Sequence, residues 1–386
     1  MYLGQLNILD YKNIRQAELT FDRKLNCLIG MNGMGKTNVI DAIYYLSFCK
    51  SAFNNVDSCN IRHEASFSML QGVYREMPTP DGVEQIACGI KRGVKKQFRR
   101  GKKEYKRLVD HIGLLPLVLV SPHDKNLIDE GSDERRRFMD SVISQCDKVY
   151  LQHVLDYNAL LKQRNTLLKQ IAGQGECWRS ALNGQSDVLD VLEMQLTRHA
   201  GYIFSGRESF IAEFVPLFQE LHSYITEDKE PVALNYRSQL QERDLMQAYR
   251  LTRERDVMLG WSSQGIHKDD LEMFLGDWAI HNVGSEGQKK TYIMAVRLAQ
   301  AEYLAHHAGT QGGGQPVKPI LLLDDIFDKL DGKRVERIIS LVGAERFGQI
   351  FFTDTNREHL LDLLRPLREE CAVFFVENGE ITPQEL

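Results

Sequence analysis

Gly30-Met31-Asn32-Gly33-Met34-Gly35-Lys36-Thr37 satisfies the pattern G-x-x-x-x-G-K-[ST], and its setting decides how the rest of the chain is read. The apolar run Leu25-Asn26-Cys27-Leu28-Ile29 before it has the character of a buried strand, and Thr37 to Phe48 after it has helical periodicity. With Gly at ~7% and comparable frequencies for the other fixed positions, a chance match in a chain of this length has a probability on the order of 1%. The strand-loop-helix context lowers that further. Glycines let backbone N–H groups curl around a phosphate chain, and the helix N-terminus adds its positive dipole end. Gly30, Met31, Asn32, Gly33, Met34, Gly35, Lys36, Thr37 and Asn38 are therefore the candidate nucleotide-binding residues. Lys36 is placed to reach the β- and γ-phosphates as a catalytic cation, and the Thr37 hydroxyl to ligate Mg²⁺, so ATP and Mg²⁺ are the implied cofactors. The competing reading is a Gly-rich turn that only caps a helix.

A phosphate loop of this kind needs a carboxylate for the metal, and Ile320-Leu321-Leu322-Leu323-Asp324-Asp325 ends a predicted buried strand with two. Asp324 is the candidate metal ligand, directly or through water. Asp325 is either the general base that orients the attacking water or a carboxylate that caps a helix or supports the metal ligand. ABC-type ATPases use a carboxylate at that position, usually Glu. Upstream, Val283-Gly284-Ser285-Glu286-Gly287-Gln288 precedes a predicted helix from Thr291 to about His307 and looks like the ABC signature, in which a serine and a glycine at a helix N-terminus grip a γ-phosphate. A Gly-Ser turn before a helix is common. Its position about 40 residues before the carboxylate strand makes Ser285, Gly287 and Gln288 candidate nucleotide contacts. Phe327-Asp328-Lys329-Leu330-Asp331 resembles a D-loop, and Thr353-Asp354-Thr355 occupies the switch position where many such ATPases place His. Gln71 is either a Q-loop glutamine near the metal or a surface residue.

The 386 residues, 43% of them hydrophobic, suffice for a large core and for two domains or one with a long insert. No apolar run approaches the roughly 20 residues that cross a bilayer, and Met1-Tyr2-Leu3-Gly4-Gln5 has no signal character, so a cytoplasmic protein with no membrane partner is expected. Seven scattered cysteines show neither metal nor disulfide spacing and are expected to be reduced and mostly buried. The expected architecture is an α/β ABC-type P-loop head, a mixed sheet with flanking helices, interrupted by a mainly helical second lobe. Residues 1–130 and 261–386 form the head and residues 131–260 the lobe, where Leu151, Val154, Leu161 and Leu168 share one helical face and Leu189, Leu192, Leu196 and Ile203 another. These stripes are too short for the coiled-coil arms of an SMC protein.

A net charge of −5 exerts no global pull on nucleic acid, so DNA contact requires local basic surface. Lys91 to Arg107 carries ten Lys/Arg and one Glu on a predicted hairpin turning near Arg100-Gly101, either a phosphate-binding face or a solvated one. Arg135, Arg136 and Arg137 open a helix where its dipole disfavours cations, so they pair with carboxylates or reach an anion such as DNA.

Four further stretches resemble the RecF family, of the SMC/RecF branch of ABC-type ATPases. They are Leu117-Val118-Leu119-Val120-Ser121-Pro122-His123-Asp124, Gly131-Ser132-Asp133-Glu134-Arg135-Arg136-Arg137-Phe138, Leu161-Lys162-Gln163-Arg164-Asn165-Thr166-Leu167-Leu168 and Gly265-Ile266-His267-Lys268-Asp269-Asp270-Leu271. His123, Ile266 and Glu286 depart from the usual Glu, Pro and Gln. The resemblance covers nearly the whole chain. It implies a weak, DNA-stimulated ATPase of DNA replication, repair and the SOS response that forms a homodimer on ATP. In that state it binds gapped or junction DNA and works with RecO and RecR to load RecA. The dimer has a second basis: one chain carries one P-loop and one signature, and a signature acts on nucleotide held by the opposite subunit. The alternatives are another SMC-like DNA-repair ATPase and a nucleotide-binding subunit of a transporter. The latter is opposed by the long insert and by the absence of a switch His.

Overall fold

Strict alternation in Phe67–Arg75, where Ser68, Leu70, Gly72 and Tyr74 are buried, and unbroken burial in Ile320–Asp324 mark two kinds of strand, one half-covered and one covered on both faces. The computed structural model describes residues 1–310, 314–326, 332–343, 346–355 and 371–384. These fall into two compact units: residues 1–125, 220–229 and 285–386, and residues 126–219 and 230–284.

The first unit holds two six-stranded sheets. One is antiparallel and built from β1 (Tyr2–Tyr11), β2 (Ile14–Thr20), β4 (Phe67–Arg75), β5 (Val83–Lys91), β6 (Gln97–Arg100) and β7 (Lys103–Glu104), in the order β2-β1-β4-β5-β6-β7. The other contains β3 (Leu25–Ile29), β8 (Leu117–Val120), β12 (Ile320–Asp324), β13 (Ile350–Asp354), β14 (Cys371–Glu377) and β15 (Glu380–Gln384), in the order β15-β14-β3-β13-β12-β8. All its neighbours are parallel except the terminal β14–β15 hairpin. Helix α1 (Lys36–Phe48) buries Val39, Ile40, Ile43 and Leu46 in a core shared with Leu6, Leu70 and Ile86 of the antiparallel sheet and Leu28, Leu322 and Phe351 of the parallel one. Burial of so many large apolar side chains, each worth about 1.5–3 kcal/mol, fixes the start of α1 against the ends of β3 and β12. Helices α9 (Glu286–His307) and α10 (Gly332–Gly343) also belong to this unit.

The second unit is mainly helical, with α2 (Asn126–Asp129), α3 (Ser132–Cys146), α4 (Lys148–Ala172), α5 (Trp178–Gly184), the part of α6 (Ser186–Thr226) up to Gln219, α7 (Leu245–Leu259) and α8 (Ile280–Val283). It also has a three-stranded sheet, β11 (Trp278–Ala279), β10 (Asp270–Leu275) and β9 (Val232–Arg237), of which β9 alone falls within residues 131–260 and was not anticipated by their helical reading. Residues 261–284, grouped with the head from sequence, lie in this unit because β10 pairs with β9 from Asp270↔Arg237 to Leu275↔Val232. Of the expected α4 stripe only Leu168 is buried. Tyr150, Tyr157, Arg164 and Ile171, spaced by seven, face inward instead, three of them with polar partners. On α6, Leu189, Leu196 and Ile203 are fully buried as their spacing requires. Among the described residues no helix is long and apolar enough to cross a membrane. Cys27, Cys49 and Cys88 are buried free thiols, whereas Cys59 and Cys177 are exposed.

Candidate functional site

The loop between β3 and α1 takes its shape from glycines and from distant braces. Gly33 and Gly35 have φ of 79° and 118°, left-handed values that other residues resist. A Cβ on Gly30 would lie 2.2 Å from the Val376 carbonyl oxygen, so the chain passes too close to β14 for any side chain. The Met34 carbonyl accepts from the Gly379 N–H at 2.8 Å and from Asn13 Nδ2 at 3.1 Å, and Asn38 Nδ2 donates to Asn13 Oδ1 at 2.7 Å. Lys36 lies folded into the loop, its Nζ donating to the carbonyls of Gly30 at 2.6 Å and Met31 at 3.0 Å. Burial lowers the Lys36 pKa, and the charges of Asp325, Asp324 and Asp354 oppose that shift. The Met31 side chain points to solvent, 68% exposed.

The parallel register sets the other wall. Asp324 pairs with Thr353 across β12 and β13, which brings both to one end of the sheet beside α1. Thr37 Oγ1 lies 3.1 and 3.0 Å from the two Asp324 oxygens, and Thr353 Oγ1 donates to Asp324 Oδ1 at 2.7 Å. Burial raises the Asp324 pKa against the hydrogen bonds from Thr353 and Thr37. A hydroxyl and a carboxylate at this separation fit adjacent oxygen ligands of Mg²⁺, which lie about 3 Å apart around an octahedral ion with bonds of about 2.1 Å. Asp325 has a φ of 51° and is held through its N–H to Thr353 Oγ1 at 2.9 Å. A cleft of about 150 Å³ is lined by Asn32, Gly33, Gly35, Lys36, Thr37, Asn38, Asp324, Asp325 and Thr353. Gly30, Met31 and Met34 shape the loop from outside that lining. Thr353, placed at the switch position from sequence but not among the candidate ligands, touches both carboxylate residues. Its one local signal was its place at the end of the Phe351-Phe352 strand.

Ser285 caps α9: its Oγ accepts from the Gln288 N–H at 3.3 Å, and Gln288 Oε1 accepts from the Ser285 N–H at 3.0 Å. The structure does not bring Ser285, Gly287 or Gln288 into the lining of this cleft. Gln71 sits mid-strand in β4, opposite Asn7 and Ala87, and is not in the lining either. Phe327 to Asp331 lie outside the described residues.

The basic stretch forms the expected hairpin, Arg100 pairing with Lys103, but its cations divide. Lys96 is spent internally: its Nζ donates to the Cys49 carbonyl at 2.6 Å and lies 2.9 Å from Asp57. Arg100 is tied to Glu84 at 2.7 Å, while Lys95, Arg99, Lys102 and Lys103 are exposed. Arg135 forks onto both oxygens of Asp270 at 2.7 and 3.0 Å, Arg136 pairs with Asp133, and Arg137 with Glu134.

Two of the stretches that resemble RecF bond each other, through Arg135 and Asp270, and the other two are braced by residues outside them. Asp124 accepts from the Ser121 N–H and from Arg297 of α9. Arg164, fully buried, bonds Glu193, Asp256 and Ser262, whose N–H and hydroxyl in turn donate to Asn165. Asp269 holds Arg207 at 2.7 Å, and Asp270 holds Arg135.

Residues 1–174 match the family model described as an AAA ATPase domain. The chain is 51% identical over its whole length to a DNA replication and repair protein RecF of Bacteroides fragilis, covering 99% of that protein. It is 46% identical over 383 residues to the one of Porphyromonas gingivalis, covering 99% of this chain and all of that protein. A solved structure of the recombination mediator protein RecF with ATP, in the RecFOR pathway, shares the fold at a TM-score of 0.85 and 24% identity, covering 100% of this chain and 98% of that one. An Smc head domain from Pyrococcus furiosus is more distant, at a TM-score of 0.58 and 15% identity with 100% and 96% coverage. With full-length identity of this order, the chain belongs to the RecF family of DNA replication and repair proteins.

Proposed function

We propose that the chain is an ATP-dependent DNA-binding protein of recombinational repair and replication-fork maintenance. It holds ATP with Mg²⁺ on Gly30–Asn38, dimerises head to head, and binds gapped or junction DNA in that state. It acts with RecO and RecR in loading RecA, and slow hydrolysis resets it. The observation that carries this reading is the convergence of Lys36, Thr37, Asp324, Asp325 and Thr353 on one cleft at the end of a parallel sheet. The names of the full-length relatives support the repair assignment.

In this reading Lys36 exchanges its bonds to the Gly30 and Met31 carbonyls for phosphate oxygens. Thr37 and Asp324 hold the Mg²⁺, which when bound neutralises phosphate charge. Asp325 orients the attacking water, with its backbone fixed by Thr353.

ATP turnover with and without gapped DNA tests the proposal. DNA is expected to stimulate turnover in the parent. Asp325→Asn is expected to keep ATP affinity and slow hydrolysis by about 10²–10⁴-fold, leaving a long-lived complex on DNA. Hydrolysis at the parental rate in Asp325→Asn would remove Asp325 as the base, and turnover indifferent to DNA would contradict the DNA-coupled reading.

A further inference from the structure

The start of α3, the middle of α4 and the segment Ile266–Lys268, all within the second unit, surround a recess of about 600 Å³ that the ATPase reading does not use. Its inner wall is built of charges already committed to the fold. Arg207, 2% exposed, is held by both oxygens of Asp140, by Asp269 and by the Ile266 carbonyl. Arg136, 12% exposed, pairs with Asp133 and donates to the Asp269 carbonyl.

The mouth is different. The Lys268 ammonium is exposed and has neither ion pair nor hydrogen bond among the described residues, and the Ser132 hydroxyl and the Asn158 side-chain amide have no hydrogen bond among them either. Arg137, 73% exposed, pairs with Glu134 and keeps most of its guanidinium donors in solvent. The lining as a whole carries Arg136, Arg137, Arg207 and Lys268 against Asp133 and Asp140. The cations feel one another: after burial, Arg207 is the next cause lowering the Arg136 pKa, and Lys268 and Arg136 add to burial in lowering that of His267.

Unspent donors of four kinds, ammonium, guanidinium, hydroxyl and amide, thus converge on a concave space lined by four cations and two carboxylates. Such a set asks for an oxyanion with several acceptor oxygens distributed around its centre, which is the chemistry of a phosphate group. Val154 and the Tyr157 ring add a less polar wall for whatever carries it. We propose that this recess is a phosphate-binding site separate from the P-loop.

Calorimetric titration of the full chain with inorganic phosphate in chloride buffer tests this. Phosphate uptake is expected to persist in Lys36→Ala, which disables the P-loop, and to weaken about tenfold or more in the Arg137→Gln/Lys268→Gln double variant. Both substituted side chains are exposed, so the fold is expected to survive, and unchanged ATP affinity of the double variant checks this while keeping the P-loop reading separate. Ser132→Ala, a smaller change, is expected to weaken uptake in the same direction. No uptake in Lys36→Ala, or equal uptake in the double variant, would overturn the proposal. Competition then distinguishes the source: displacement by a 5′-phosphorylated duplex and not by AMP identifies a nucleic-acid phosphate, and the reverse identifies a free nucleotide.

Discussion

His267 shows how one half-buried ring turns acidity into instability. Its Nδ1 lies 2.8 Å from the Tyr157 hydroxyl and its Nε2 3.0 Å from the Ser262 carbonyl. Burial, with Lys268, Arg136 and Arg164 nearby, lowers its pKa to about 4, opposed by the bond to Ser262. The unfolded chain takes up this proton near pH 6.5 and the folded chain only near pH 4. Stability from this group is therefore complete above pH 6.5, is lost as pH falls from 6.5 to 4, and levels off below, a change of about 3 kcal/mol. Urea unfolding at pH 7, 5.5 and 4 is expected to show the slope in the parent and to show it flattened in His267→Gln; an equal slope in both would assign it to other groups. At this scale the sequence was legible where chemistry is contiguous. Lys36 and Thr37 sit in one eight-residue pattern, and Asp324 closes an apolar run. Asn13 and Thr353 carry no such pattern, because what makes them matter is their bonding to Met34 and Asp324, residues far off in the chain.

Arg164 anchors the packing of α4, between Glu193 of α6 and Asp256 of α7, with its guanidinium 4.7 Å from the Tyr249 ring centre. Arg164→Met leaves two fully buried carboxylates without their shared cation and is expected to cost about 3–5 kcal/mol in chemical denaturation. A loss below about 1 kcal/mol would show that Arg253, 2.5 Å from Glu193, suffices alone. The β6–β7 hairpin calls for two kinds of substitution. Replacing Lys95, Arg99, Lys102 and Lys103 with Gln is expected to weaken DNA binding and to reduce its log–log salt slope by roughly 0.9 for each DNA phosphate that the variant no longer neutralises. An unchanged slope would make the hairpin a solvated face. Lys96 does not belong in that set, since its ammonium ties the hairpin to Cys49 and Asp57. Where elements were legible their pattern is local, as in the apolar runs of β3 and β12 and the helical periodicity of α1, whereas β4 drew no strand assignment. β9 was missed because six residues between two helices take their strand identity from Asp270–Leu275, not from their own pattern.

On the scale of the whole chain, the P-loop and the carboxylate strand lie at opposite ends of the sequence and meet through the parallel order β3-β13-β12. The motifs implied that the two ends meet, since Thr37 and Asp324 were read as ligands of one metal, and left the strand order open. The boundaries of the second unit were less legible, since residues 261–284 read as the return of an α/β pattern and belong by pairing to β9. The proposed head-to-head state takes two chains. Ser285 caps α9 while its hydroxyl proton has no acceptor among the described residues, and it does not line the P-loop cleft. The proposed head-to-head dimer assigns it the phosphate held by a partner chain. Ser285→Arg mixed with Lys36→Ala is expected to restore one composite site per heterodimer, from the intact P-loop of the first and the intact signature of the second. Sedimentation velocity of Ser285→Arg with ATP tests the claim most directly. The expected result is parental ATP affinity with no nucleotide-dependent dimer; a dimer of normal strength would contradict the head-to-head account.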